Sequence, residues 1–376
     1  MKYSFMRKFY FGQLNSLLVD LSSPINISFM WNFGSLLGLT FVFQFLTGFF
    51  LTFHYAPNVA LAFESVVHVT RDVNYGWLLR YFHVNGASFL FILCYIHISR
   101  GLYFMSFYKT KVWVSGVFIL LILMGIAFMG YILPWGQMSF WGATVITNLI
   151  SSIPVWGSQI VYWIWGGFSV ENPTLNRFFS FHFLFPFIMF FFVFLHIFFL
   201  HLVGSGNPLG ISSSYDKIWF YPYFFTKDFV GFFFFFFFFL FLSFFFPFFL
   251  IDSENFISAN SLVTPVHIQP EWYYLFSYAI LRSIPSKLGG VVALLLSILV
   301  LLILVFCSSK FGHLGFYPFM KLVFVFFLNV VILLMWIGSS QVEYPYFFLG
   351  QVFTFFYFSF FYIYVYMLFF WDNLIN

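Results

Sequence analysis

Charge is what this chain of 376 residues has least of: 7% of its residues are Asp, Glu, Lys or Arg, against about 25% in an ordinary soluble domain. With 62% hydrophobic residues, a water-soluble domain is excluded and the bilayer becomes the main solvent. Cysteine is also scarce. Cys94 and Cys307 both lie in apolar stretches and form no Cys-x-x-Cys-His, which excludes a disulfide framework and covalent haem attachment. A nucleic-acid surface is missing as well, because the basic residues behind the net charge of +4 stand singly between apolar segments instead of forming a stripe. The first thirty residues hold Lys2, Arg7, Lys8 and Asp20 with no uninterrupted apolar segment or small-residue cleavage site, so no secretory signal is expected.

Phenylalanine is what the chain has in excess, with 70 residues including the run Phe232 to Phe239. Phenylalanine partitions well into a membrane-centred helix, and T-rich coding accounts for the excess on faces that meet only lipid. Stretches near twenty apolar residues, the length that crosses about 30 Å of hydrocarbon, number eight: 31–53, 76–104, 112–134, 174–204, 226–248, 288–308, 320–341 and 347–371. The expected fold is an all-α integral membrane protein of eight transmembrane helices with short surface helices in its outer loops. An even number of spans returns both termini to one side. An inner amino terminus puts ten of the 15 basic residues inside and five outside, in keeping with the positive-inside rule.

Three regions are expected: an inner-side surface segment at 1–30, with a possible surface helix at 7–20; a four-helix bundle at 31–225; and a four-helix region at 226–376. The outer connections 135–173 and 249–287 are long, and rich in aromatic residues, Pro and Gly. Long ordered connections are often functional, and the amphipathic pieces Trp156 to Gly167 and Trp272 to Leu281 suit the interface plane.

His83 and His97 are fourteen residues apart in the second span, and His182 and His196 are fourteen apart in the fourth. On a helix this spacing advances about 21 Å and returns within about 40° of whole turns, so each pair faces one way at two depths. Spans two and four run parallel, which stacks His83 level with His182 and His97 level with His196. Two imidazoles across a ring plane give a six-coordinate haem suited to electron transfer. Gly34 and Gly48, and Gly116 and Gly130, repeat the spacing in the first and third spans, where the missing Cβ lets backbone approach a flat macrocycle. A single intramembrane histidine is more often an interhelical hydrogen bond, and zinc asks for three or four nearby ligands; the paired spacing favours haem. Arg80 and Arg100 lie three residues from His83 and His97 on the same face, placed for anionic haem propionates or for simple snorkelling.

Glu271, in Pro270-Glu271-Trp272-Tyr273, is a carboxylate among aromatics near the outer histidine level. It could accept a proton from a quinol, with Tyr131, Tyr278 and the segment Gly136 to Ile146 as walls of the same cavity. Near the inner level His201, Lys227 and Asp228 are candidate proton donors for quinone reduction, and His201 turns about 140° away from the ligand face.

These residues resemble mitochondrial-type cytochrome b of the ubiquinol–cytochrome c reductase complex, respiratory complex III, from Trp31 to the eighth span. The resemblance rests on Trp31-Asn32-Phe33-Gly34-Ser35, Leu133-Pro134-Trp135-Gly136-Gln137-Met138, Trp141 to Ile146, Asn172-Pro173-Thr174-Leu175, Phe181-His182-Phe183 and Pro270 to Gly290. It implies two non-covalent b-type haems, low-potential at His83 and His182 and high-potential at His97 and His196. It also implies quinol oxidation at Glu271 and Tyr131, and quinone reduction at Ser35, His201 and Asp228 beside Lys227, with ubiquinone as substrate. The family's Q cycle contributes to proton translocation and needs the Rieske iron–sulfur protein, cytochrome c₁ and further subunits in a dimeric complex, since this chain is not a complete enzyme alone. T-rich coding and the missing presequence point to a mitochondrial inner-membrane, multi-pass protein with both termini in the matrix. Gly206 and Val266 depart from the family's commoner Asn and Pro, and Ala143 stands where some members carry Gly. Two rivals remain at this point: a proton-relay transporter without cofactor, and another bis-histidine, quinone-linked membrane anchor.

Overall fold

The computed structural model describes residues 21–374, so the expected surface helix at 7–20 lies outside the described residues. The spanning helices are α1 (Phe33–Leu51), α3 (Gly76–Tyr103), α4 (Thr110–Ile132), α7 (Asn172–Val203), α8 (Tyr223–Phe245), α10 (Lys287–Leu299), α11 (Met320–Gly338) and α12 (Tyr346–Leu374). Among the described residues eight helical segments are long and apolar enough to cross a membrane, each within a few residues of its expected position. A 3-10 turn at Phe29–Trp31 leads into α1, and the sixth span finishes as the 3-10 segment Val300–Phe306.

Local chemistry sets the ends. α7 starts on Glu171, with Pro173 in the first turn, where its missing N–H costs nothing, and with Thr174 returning a hydrogen bond to the cap. The Ser286 hydroxyl accepts from the Gly289 amide to open α10.

The connections carry more structure than apolar runs reveal. Residues 52–75 contain α2 (Ala62–Arg71), the first long outer connection holds α5 (Gln137–Asn148) and α6 (Gly157–Trp165), and the second leads through a turn at Trp272–Tyr274 into α9 (Leu275–Ser283). α6 presents one face outward, with Trp163 75% exposed while Val161 and Trp165 are buried. α9 differs from the interfacial helix expected there. Its Phe276, Ala279 and Ile280 are buried within the apolar core that also takes in residues of α10, α11 and α12, and Leu275 is buried as well. Two contacts hold it in. Gly338 lets α11 press its backbone on the Leu275 carbonyl, and Arg282 donates to the Ile337, Gly338 and Ser340 carbonyls at the end of α11.

One strand pair forms among the described residues: β1 (Ser22–Pro24) runs antiparallel to β2 (Lys217–Trp219), with Ser23 opposite Ile218. Three-residue strands are too short to show an alternating pattern in sequence. They tie the start of the described chain to the connection that follows α7.

Candidate functional site

The antiparallel packing of α1 on α3 and of α4 on α7 is written in four glycines. Gly48 faces His83 and Gly34 faces His97; Gly130 faces His182 and Gly116 faces His196. A Cβ on Gly48 would stand 2.9 Å from His83 Cε1, one on Gly116 3.2 Å from His196 Cε1, and one on Gly34 3.6 Å from His97 Cε1. On Gly130 it would overlap His182 Cε1 and lie 2.9 and 3.0 Å from the two ring nitrogens. In the structure the edge of an imidazole lies against each of these glycines, on the face expected to admit a macrocycle.

The histidines pair across the bundle as their spacing predicts. His83 and His182 have ring centroids 6.3 Å apart, and His97 and His196 6.4 Å apart. An imidazole nitrogen sits about 2.0 Å from a first-row metal and about 1.2 Å from its own ring centre, so two ligands on opposite sides of one ion have centroids about 6.4 Å apart. Each pair is therefore spaced for one six-coordinate metal between two rings. No group of three or more His, Cys, Asp or Glu side chains able to hold a metal occurs among the described residues, which leaves the remaining ligands to a macrocycle.

Nδ1 partners test the fit further, because a metal-bound histidine donates its other N–H to an oxygen. His83 Nδ1 meets Thr47 Oγ1 at 3.0 Å, His196 Nδ1 meets Ser115 Oγ at 2.9 Å, and His182 Nδ1 meets the Ile126 carbonyl at 2.8 Å. These three leave Nε2 for the metal. His97 Nδ1 instead faces Arg100 Nη2 at 3.1 Å, and a guanidinium can only donate, so ligation through Nε2 requires Arg100 to turn away. Arg100 Nε is buried without a partner, as suits an arginine whose full complement is an anion such as a haem propionate. Arg80 donates to Thr70 Oγ1 at 2.9 Å at the outer end.

The outer pair opens into a cavity of about 270 Å³ whose lining includes His83, His182, Gly48, Gly130, Arg80, Tyr131 and Glu271. Glu271 and Tyr131 are hydrogen-bonded. Burial pushes the Glu271 carboxyl up to about 7, against the hydrogen bond from Tyr131 and with the added repulsion of Asp252. Its position is set by the aromatics that follow it. Tyr273 stacks on Phe91 with centroids 4.0 Å apart, Trp272 Nε1 donates to Ser88 Oγ at 3.1 Å, Tyr274 donates to the Met124 carbonyl at 2.6 Å, and the Tyr95 hydroxyl donates to the Tyr273 carbonyl. Tyr278 and the segment 136–146 are not among the lining residues. The Tyr278 hydroxyl donates to the Ile268 carbonyl at 3.3 Å, and its ring carries the Arg282 guanidinium 4.7 Å from its centroid. Gln137 and Ser139 hold the second connection by hydrogen bonds to Val263 and Asn255.

At the inner end the Ser35 hydroxyl donates to the Asn32 carbonyl at 2.9 Å near the Asp228 carboxyl, while Lys227 donates to the Ile27 carbonyl at 2.7 Å and lies over Phe29. His201 Nδ1 is buried with no partner. Lys109 donates to the Gly204 carbonyl, closing the end of α7. Thr47, Ser115 and Ile126 are the site residues that sequence reasoning missed. The available signal was a hydroxyl directly before glycine in Thr47-Gly48 and Ser115-Gly116.

The chain is similar to known proteins over most of its length. A family model described as cytochrome b/b6/petB matches residues 18–204, and one for the C-terminal part, cytochrome b(C-terminal)/b6/petD, matches residues 258–358. A solved chain titled "Hyperthermophilic respiratory Complex III" is 31% identical and superposes with a TM-score of 0.92 over 98% of this chain and 99% of that one. The two matched regions contain the four glycines, both histidine pairs and the Pro-Glu-Trp-Tyr segment, and the chain belongs to the cytochrome b/b6 family, whose members carry electrons on b-type haem.

Proposed function

We propose that this cytochrome b subunit belongs to a quinol–cytochrome c reductase, oxidising quinol in the outer cavity and reducing quinone at the inner end of the same bundle. The observation that carries this reading is that two imidazole pairs at metal-bridging separation stand at two depths, with the outer pair sharing its cavity with a single protonatable carboxyl. His83 with His182 and His97 with His196 would hold two haems, and Arg80 and Arg100 would offer the cations for their propionates. Those groups, when bound, supply one-electron transfer between the outer and inner sites.

The chain's own residues handle protons and position. A quinol in the outer cavity releases two protons as it is oxidised, and Glu271, ionised above about pH 7, accepts one of them while Tyr131 orients its carboxylate. The clasp of Trp272, Tyr273 and Tyr274 on α3 and α4 keeps that carboxylate beside the outer imidazoles. At the inner end His201 and Asp228 supply protons to reduced quinone, with Ser35 beside Asp228 at the quinone and Lys227 tying α8 to Ile27 ahead of α1. Tyr278 acts from behind the cavity wall. Proton release outside and uptake inside constitute a Q cycle.

No iron–sulfur cysteine cluster or c-type haem motif occurs in the sequence, so a Rieske iron–sulfur protein and cytochrome c₁ complete the reaction. The match to a complex III chain supports a multisubunit assembly, which the family resemblance makes dimeric. T-rich coding supports the mitochondrial inner membrane, and the distribution of basic residues puts both termini in the matrix.

The test is a dithionite-reduced minus oxidised spectrum of the purified complex, with haem quantified per chain, for wild type, His97→Leu and His182→Leu. Two non-covalent b haems per chain, with each substitution removing a different spectral component, are expected. A chain without haem overturns the reading in favour of a proton-relay transporter.

A further inference from the structure

Thr47 and Ser115 occupy equivalent places in two antiparallel helix pairs. Each immediately precedes the glycine that admits a histidine edge, Gly48 for His83 and Gly116 for His196, and each hydroxyl reaches that histidine's Nδ1. Gly34 and Gly130 follow Phe33 and Met129, which have no hydroxyl.

The direction of these two hydrogen bonds follows from the rest of each hydroxyl's environment. Thr47 Oγ1 donates to the Phe43 carbonyl at 2.9 Å, with the Gln44 carbonyl at 3.1 Å, and Ser115 Oγ donates to the Val112 carbonyl at 2.9 Å. A hydroxyl has one proton, and here its own helix takes it. Toward the imidazole only oxygen lone pairs remain, so Nδ1 must carry the hydrogen and Nε2 is left bare. With the Gln44 carbonyl also beside His83 and the Val112 carbonyl beside His196, the hydroxyl joins a backbone oxygen in selecting the metal-binding tautomer while the adjacent glycine fixes the ring's approach.

We propose that Thr47 and Ser115 are positioning residues that set the tautomer of one axial histidine at each level and lower the reduction potential of the haem that histidine holds. This rests on the two-haem reading above. A neutral imidazole whose second N–H donates to oxygen is a more basic ligand, and a more basic ligand favours the oxidised, more positive iron. The two hydroxyls act at different depths, Thr47 at the outer level and Ser115 at the inner, so each adjusts one haem independently of the other. At the opposite face of the outer level, the Ile126 carbonyl plays the same part for His182 and cannot be removed by side-chain substitution.

The experiment is a potentiometric titration of both haems in the assembled complex, following absorbance, with wild type, Thr47→Val, Thr47→Ser and Ser115→Ala compared. Thr47→Val keeps the shape and removes the acceptor, so the outer haem is expected to become several-fold easier to reduce, up to about tenfold, or about 59 mV for a one-electron couple. The inner haem should keep its wild-type potential. Ser115→Ala should reverse that pattern, and Thr47→Ser should titrate as wild type. Potentials unchanged in both variants that retain haem, or shifts of both haems together in either variant, overturn the proposal. If one substitution costs haem binding, the other level gives the same test alone. A wild-type complex lacking two b haems refutes the two-haem reading instead, and does so before any variant is made.

Discussion

Glycine clearances rank the tolerance of the four helix contacts. Gly130→Ala drives a methyl into the His182 ring, Gly48→Ala and Gly116→Ala press on theirs at 2.9 and 3.2 Å, and Gly34→Ala leaves ordinary contact at 3.6 Å. Haem content measured by reduced spectra should fall in that order, with near-complete loss of the outer component in Gly130→Ala and near-normal content in Gly34→Ala; equal retention in all four would show that the imidazoles do not depend on these contacts. Glu271 makes a pH-dependent prediction. Its folded-state acid is weaker than the ordinary carboxyl at 4.5, held near 7 chiefly by burial. Its contribution to stability is therefore complete below pH 4.5 and is lost as pH rises through about 7, amounting to about 3 kcal/mol. Quinol oxidation should rise over the same window as the carboxylate forms, and Glu271→Gln should flatten that limb and slow the rate on the order of 100-fold. A pH–rate profile unchanged by the substitution would remove Glu271 from proton transfer. The histidines and glycines were legible in sequence because helix geometry turns a spacing of fourteen into a shared face. Thr47 and Ser115 were not, since a hydroxyl facing its own helix reads like any other until its second neighbour is known.

Among the elements, the spans were legible to within a few residues because backbone polar groups in a bilayer must be satisfied inside one continuous helix. The connecting helices were less so. α2 is amphipathic and short, and α9 reads as interfacial from its pattern although its neighbours bury it. Its clearest support is polar. Arg282 serves three carbonyls at the end of α11, where a cation also complements the helix dipole. Arg282→Leu leaves them without that donor, and about 2 kcal/mol of stability should go with it, read as a lower thermal midpoint of the detergent-purified complex with partial recovery in Arg282→Lys. A midpoint equal to wild type would mean that packing alone seats α9.

For the molecule as a whole, the proposed orientation rests on the count of basic residues on each side rather than on any contact. In a background without Cys94 and Cys307, a membrane-impermeant maleimide should label Lys287→Cys from the outside and Lys111→Cys only after the membrane is opened; the reverse pattern inverts the topology. The overall arrangement was readable because eight apolar runs, two histidine pairs and one loop motif agree on a single bundle. The joining of its halves was not readable: Tyr273 on Phe91, Trp272 on Ser88 and Tyr274 on Met124 are long-range contacts with no local periodicity.

The Phe-rich α8 bears on how such chains diverge. Phe235, Phe239 and Ser243, spaced by four, are buried on one side, while Phe233, Phe234, Phe237 and Phe238 are exposed where lipid would lie. Any residue of similar oiliness serves at those outer positions, so nucleotide bias can rewrite them without moving an atom of the bundle. A shared backbone with a TM-score of 0.92 at 31% identity is then the expected outcome of drift. Counted letters in this family report the extent of the lipid boundary, and divergence of the redox site has to be judged on the few positions facing inward.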